Sequence, residues 1–318
     1  MRSRVIMVLA IATILLGGAI LVPTAYARLA GPDEAEKLAT AQAAAAEAAL
    51  VPPPPPTLAN APVNVPFKGK FLSWALLDRK TGTISGAKNM TSTNSTESML
   101  KVWLVSDYLR RLGDKQPSSS MLHNAEVAIK DSNDDAANAL WKAGGGSPVL
   151  DRLIDICGLT DTKPGAVPGY IGWWSFTTMS PRDAVRMGDC VASGKAAGQK
   201  WTKWVLDTMS KVRGSVKQQQ AKTGGGKWGI IDGLPKAIFD QGPVSIKNGW
   251  TPLVYDGNWH VNCLAVTDDW VLAVMMRYPS KGGTIPSYGA SVCASVATQL
   301  VTPEPGAALR VPKPLASS

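Results

Sequence analysis

The chain has 318 residues, 45% of them hydrophobic and 18% charged, with 33 Lys and Arg against 24 Asp and Glu for a net charge of +9. That length carries one large globular domain plus accessory segments. The basic residues are spread along the chain and no nucleic-acid motif is present, so nucleic acid is set aside as a partner and the charge is read as a solubility feature.

Arg2 and Arg4 precede an apolar run over Val5–Val22, and Ala25-Tyr26-Ala27 offers small residues at a signal-peptidase spacing. Residues 1–27 therefore read as a signal peptide or an N-terminal membrane anchor. The first cysteine is Cys157, which argues against lipid attachment at a processed N-terminal cysteine. The rest of the chain is expected outside the cytoplasmic membrane, secreted or anchored by that first helix. Four cysteines agree with an oxidising compartment. They admit three pairings, of which Cys157–Cys190 with Cys263–Cys293 is the expected one.

Asp33–Leu50 is rich in Ala and Glu and reads as helix, ended by the five prolines Pro52–Pro56. Residues 28–66 are read as a spacer, 67–312 as the domain and 313–318 as a tail. Phe71–Leu77 predicts a strand, followed by the turn Arg79–Gly82 and a short strand near Thr83–Ile84.

From Met99 to Leu112, apolar or aromatic side chains stand at 99, 100, 102–105, 108, 109 and 112. This pattern goes nearly all the way round at its start, so the helix Ser98–Leu112 is expected to be buried there, with Lys101 inside. Burial lowers a lysine pKa and turns a cation into a base, and three-residue spacing puts Ser98 on the same face. Ser98 and Lys101 are thus a candidate nucleophile and base in a chain with two histidines. The alternative is an N-cap serine and a lysine that snorkels to the surface. A second S-x-x-K, Ser85–Lys88, lies among glycines and reads as a turn.

Helical patterns follow at Asp135–Lys142, Pro148–Ile156, Pro181–Ala192 and Trp201–Val212. Strands return at Val244–Ile246, Trp259–Val266 and Trp270–Tyr278, and Ser291–Val301 reads as a closing helix. The order predicts an α+β layout: one antiparallel sheet built from both chain ends, with a mostly helical subdomain filling the middle.

Ser132-Asn133-Asp134 stands in a loop about thirty residues after Ser98, and Lys247-Asn248-Gly249 ends the strand Val244–Ile246. With Ser98-Met99-Leu100-Lys101 these residues resemble the penicillin-recognising serine enzymes, class A β-lactamases and D,D-peptidases, whose S-x-x-K, S-x-N and K-T-G motifs come in this order. Lys80-Thr81-Gly82 and Lys222-Thr223-Gly224 match K-T-G more closely, but only Lys247 is followed by strands and a helix in the family's arrangement. Thr177–Asp183 and Gly233-Leu234-Pro235 add landmarks, and the resemblance covers residues 67–302.

The resemblance implies a β-lactamase/transpeptidase-like fold and a serine acyl-enzyme. Ser98 would attack the amide carbonyl, Lys101 would take its proton, and Ser132 would pass a proton to the departing nitrogen. Lys247 would attract the substrate carboxylate, and the Ser98 and Trp250 N–H groups would form an oxyanion hole. Asp134, Asn248, Gly249 and Trp250 would meet the substrate. The family uses no metal or cofactor, and His123 and His260 are read as structural. A monomer acting on β-lactams or cell-wall peptides is expected.

Three departures stand out. Asp134 replaces the asparagine of S-x-N and would pair with Lys101, keeping it charged. Asn248 replaces the hydroxyl residue of K-T-G. Thr162–Pro181 holds no Asp or Glu, so the family's loop base for deacylation is missing and slow turnover is expected. Trp173, Trp174 and Trp250 are read as core residues, with cleft lining as the alternative. Two functions follow: an exported serine hydrolase with slow deacylation, or a catalytically impaired wall-associated binding or scaffold protein.

Overall fold

The computed structural model describes residues 56–220, 225–280 and 286–302, with scattered positions between 33 and 43. The expected signal segment and the tail lie outside the described residues. Two compact units divide at Pro54 and Pro55. In the first, the described positions, among them Asp33, Glu36 and Lys37, are helical and exposed.

The second unit holds the α+β layout. Its strands are β1 (Thr57–Leu58), β2 (Phe71–Asp78), β3 (Ile84–Gly86), β4 (Asn94–Ser95), β5 (Thr178–Met179), β6 (Ser245–Ile246), β7 (Gly249–Leu253), β8 (Asn258–Val266), β9 (Trp270–Pro279) and β10 (Val301–Thr302). The main sheet runs β3-β2-β9-β8-β6, with β7 also paired to β8 and every pairing antiparallel. Phe71 pairs with Arg277, so the two chain ends share one sheet.

Both faces of this sheet are covered, which is why β8 and β9 read as nearly unbroken apolar runs. On one face Gly188 of helix α5 (Pro181–Ala192) sits against Leu264, Val266 and Val271. On the other, Gly289 of the closing helix α9 (Pro286–Leu300) sits against Val261 and Tyr278. The period of two puts Asn262, His260 and Arg277 on the α5 face. Cys263 points the other way, where it bonds Cys293 of α9; Cys157 bonds Cys190.

The helical half surrounds α1 (Lys101–Arg111). Helices α2 (Ser119–Lys130), α3 (Asp134–Ala143), α4 (Pro148–Cys157), α5 and α6 (Gln199–Met209) all pack on it. That encirclement buries Val102, Trp103, Leu104, Val105 and Leu109, the residues that gave the sequence its missing polar face. Short helices α7 (Val216–Gln220) and α8 (Lys236–Gln241) lie between α6 and the last strands.

Four features differ from expectation. Ser98 lies in a 3-10 turn, Glu97–Leu100, that feeds α1 rather than in the α-helix itself. Helix α2 was not expected: it buries only Ala125, Ala128 and Ile129 behind a serine-rich start capped by Ser118. Strand β7 was also not expected, since Gly249 and Pro252 resemble turn residues. Residues 56–66, read as spacer, lie on the domain: β1 pairs with β10, Ala59 N–H donates to the Leu300 carbonyl and Asn64 N–H to Gln299 Oε1.

Candidate active site

The turn that carries Ser98 is held from three sides. Thr96 N–H donates to the Thr177 carbonyl, and Asn262 Nδ2 donates to the Ser95 carbonyl at 2.8 Å and the Thr96 carbonyl at 3.1 Å. Strand β7 presses on the third side. A β-carbon at Gly249 would stand 2.5 Å from Met99 N, 2.6 Å from the Thr96 carbonyl oxygen and 2.8 Å from Ser98 N, so only glycine fits. The Ser98 N–H and the start of β7 are therefore neighbours.

Glu97, just before Ser98, has φ +49°, and Ser132 has φ +55°. Non-glycine residues in this region cost about 1–3 kcal/mol each and cluster at functional sites. Ser132 follows α2, and the next residue, Asn133, caps α3 by accepting from Ala136 N–H at 2.8 Å.

Two buried lysines converge on Ser132. Lys101, 0% exposed, donates to the Ser132 carbonyl, to Ser132 Oγ at 3.4 Å and to Asp134 Oδ1 at 2.6 Å. Lys247, 1% exposed, donates to Ser132 Oγ at 3.0 Å and to the Asn248 carbonyl at 2.8 Å. Burial holds the Lys101 pKa below the usual lysine value, against the pull of the Asp134 carboxylate. Burial, and then the like charge of Lys101, push Lys247 well below it.

The expected pairing of Asp134 with Lys101 is present, although Asp134 itself is 76% exposed. Ser98 and Lys101 do not meet as expected: among the described residues no hydrogen bond joins the Ser98 hydroxyl to the ammonium, whose three hydrogens face Ser132 and Asp134. Asn248 also departs from its expected role. Its amide donates to the Gly226 and Trp228 carbonyls, each at 2.8 Å, and so fixes the preceding loop instead of facing a substrate.

Ser98, Ser132 and Asp134 line one cleft of about 340 Å³, with Trp173, Trp174 and Trp250 as walls. Trp174 is buried in the core and Trp173 and Trp250 pack against it, as read, and all three also line the cleft. Trp174 lies under the Lys101 ammonium at 5.4 Å and donates Nε1–H to Asn138 Oδ1 at 3.0 Å. Glu97, Asp131 and Asp134 are the carboxylates on the cleft, and Asp131 is paired with Arg213.

Sequence reasoning missed a buried chain beside Ser98. Glu97, 2% exposed, has Oε1 2.6 Å from Ser95 Oγ; that oxygen is 2.6 Å from His260 Nδ1, and His260 Nε2 is 2.8 Å from Asp256 Oδ2. Desolvation pushes the Glu97 carboxyl up to about 7, with Asp134 and Asp256 adding to the rise and the Ser95 and Thr251 hydroxyls opposing it. Desolvation also lowers the His260 pKa. With both groups neutral every contact is satisfied: the Glu97 acid donates to Ser95, Ser95 to His260, and His260 to Asp256. With Glu97 ionised, Ser95 donates to the carboxylate instead. The acid directly before the S-x-x-K serine was the one visible sign of this chain.

No protein-family model matches the chain. Over 184 residues it is 28% identical to proteins of Mycobacterium bovis and Mycobacterium tuberculosis that bear the name "Putative lipoprotein LppW". The match spans 57% of this chain and only about half, 54%, of those relatives. Among solved structures, L2 complexed with relebactam aligns with a TM-score of 0.55 at 16% identity over 71% of this chain and 88% of that one. A class A β-lactamase from Mycobacterium abscessus aligns at 0.52 and 14%, over 73% of this chain and 92% of that one. A β-lactamase from Desulfarculus baarsii gives 0.53 and 14%, over 72% and 90%.

Proposed function

Starting from a β-lactamase-like fold carried at low identity, we propose that this chain is an exported serine hydrolase that forms an acyl-enzyme on Ser98 with β-lactams or D-alanyl cell-wall peptides and releases it slowly. The observation that carries the reading is Ser132: its hydroxyl lies between two buried lysines, on the same cleft as Ser98.

Ser98 Oγ bonds to the carbonyl carbon and its proton passes to a lysine. Lys247, without a carboxylate in hydrogen-bond contact, and Lys101, once released from Asp134, are the acceptors. The C–N bond then breaks, Ser132 gives its proton to the departing nitrogen, and Lys247 replaces it. The N–H groups of Ser98 and Trp250 receive the developing oxyanion, a contact supported by the close approach of Gly249 to Ser98 N. Water attack has no loop carboxylate to assist it; of the three carboxylates on the cleft, Asp131 and Asp134 are held in ion pairs, and Glu97 is buried and bonded to Ser95. The acyl group is therefore long-lived.

The extracytoplasmic location rests on the N-terminal sequence and on the lipoprotein name of the mycobacterial relatives. Incubation with a labelled penicillin followed by intact mass tests the reading. One adduct per chain, absent in Ser98→Ala and decaying over minutes to hours, is expected. No adduct with penicillins, cephalosporins or acyl-D-alanyl esters overturns it. The second reading, an impaired family member that binds wall fragments, is favoured by the full engagement of Lys101 and the turned-away amide of Asn248. It predicts wall-fragment binding untouched by Ser98→Ala.

A further inference from the structure

Beside the cleft lies a second cavity of about 390 Å³ that the proposed reaction does not use. Phe176 faces both. Among the described residues Arg277 is the one Lys or Arg on the wall of this cavity, and no Asp or Glu lines it. A lone cation in a concave, partly dry site is an electrostatic imbalance that an anion corrects.

Arg277 Nε is buried without an acceptor, and among the described residues the guanidinium pairs with no carboxylate. Its central carbon lies over the Phe71 ring, 5.2 Å from the centroid. Asn94 Oδ1 is likewise buried without a donor, while its Nδ2 is fixed by Asn262 Oδ1 at 2.9 Å and the Met276 carbonyl at 3.2 Å. His260, opposite Arg277 across the sheet, has both nitrogens engaged by Ser95 and Asp256. It supplies neither a free donor nor a competing acceptor. Arg277 Nε and Asn94 Oδ1 have almost no accessible surface, so what Arg277 offers the cavity is its Nη groups, which among the described residues donate to no acceptor. Such a guanidinium gains a charge-assisted bond when a carboxylate arrives. On the rest of the wall Ala166, Val167, Pro168 and Phe176 are apolar, Thr93, Ser95 and Thr178 carry hydroxyls, and Tyr255 stands half-exposed.

We propose that this cavity is a binding subsite for an organic carboxylate with a small apolar body, the carboxylate held by the Arg277 guanidinium. The carboxylate comes either on an arm of the substrate seated in the cleft or on a separate small molecule. Its binding does not depend on acylation of Ser98.

The test uses the full chain carrying Ser98→Ala, titrated by calorimetry with phenylacetate and with its neutral analogue phenylacetamide. Phenylacetate is expected to bind at least about tenfold tighter, the scale of one charge-assisted contact. Arg277→Gln is expected to abolish that preference and Arg277→Lys to keep part of it, with both variants melting as cooperatively as the parent. Equal binding of acid and amide, or an unchanged preference in folded Arg277→Gln, overturns the subsite. The source is read in the Ser98 chain with benzylpenicillin and its α-carboxy analogue. Faster acylation by the carboxylated arm, lost in Arg277→Gln and competed by phenylacetate, assigns the cavity to the substrate. Phenylacetate binding to the acylated protein as tightly as to the free one assigns it to a separate ligand. Failure of all acylation with phenylacetate binding intact sinks the proposed reaction and leaves the subsite standing.

Discussion

At Lys101 the interior and Asp134 pull in opposite directions, and the balance sets how much free amine the site holds at neutral pH. Burial favours the amine, while the carboxylate at 2.6 Å favours the ammonium. Asp134→Asn removes the carboxylate and leaves burial. We expect faster acylation at neutral pH, by about tenfold per pKa unit gained, with the acid limb of the pH–rate profile moved to lower pH. Stopped-flow acylation by a chromogenic cephalosporin reads both, and a slower variant at every pH would place Asp134 among the groups that hold substrate. Glu97 gives a stability prediction. Its carboxyl is pushed from 4.5 to about 7 in the folded chain, so its neutral form is favoured there. The contribution is complete below the unfolded value of 4.5 and fades as pH rises through about 7. Glu97→Gln, which is always neutral, is expected to gain up to about 3 kcal/mol over the parent between pH 5 and pH 8. Denaturant melts across that range check it, and parallel curves would show that Asp134, Asp256 and His260 compensate the charge. The four motif residues were legible because each sits in a short signature. The Glu97–Ser95–His260–Asp256 chain was not, because Ser95 and His260 stand 165 residues apart and meet only through the fold.

Among the elements, β7 decides whether the site exists. Its first residue lies so close to the Ser98 turn that Gly249→Ala forces the strand and the turn apart. Loss of about a hundredfold in acylation rate is expected, the scale of one misplaced oxyanion donor, together with a lower melting temperature. A crystal structure or the acylation kinetics of this variant decides it, and parent-like rates would show that the two N–H groups do not act together. The buried helix α1 and strands β8 and β9 were visible in the sequence because their surroundings cover them on all sides, and hydrophobicity records that directly. Helix α2 and β7 were not visible, since each is half-covered and each begins with residues that also make turns: Ser118–Ser120 in one case, Gly249 in the other.

For the molecule as a whole, the layout of strands, helices, strands and a closing helix followed from the order of apolar periods along the chain. The end of the spacer did not, because the pairing of β1 with β10 depends on two-residue strands too short to leave a pattern. Two disulfides close separations of 33 and 30 residues, one tying α4 to α5 and one tying β8 to α9. Each is expected to contribute about 3–4 kcal/mol by restricting the unfolded chain. Reduction followed by thermal melting should lower the transition by several degrees for each bond, and an unchanged melt would mean that the sheet and its covering helices suffice alone. The sheet itself dictates a timetable. Phe71 finds its partner only after Arg277 has been synthesised, and the carbonyls beside Ser98 are gripped only when Asn262 arrives. Pairings this distant slow folding, so a chain that is still incomplete carries Ser98 without the scaffold that surrounds it in the folded domain.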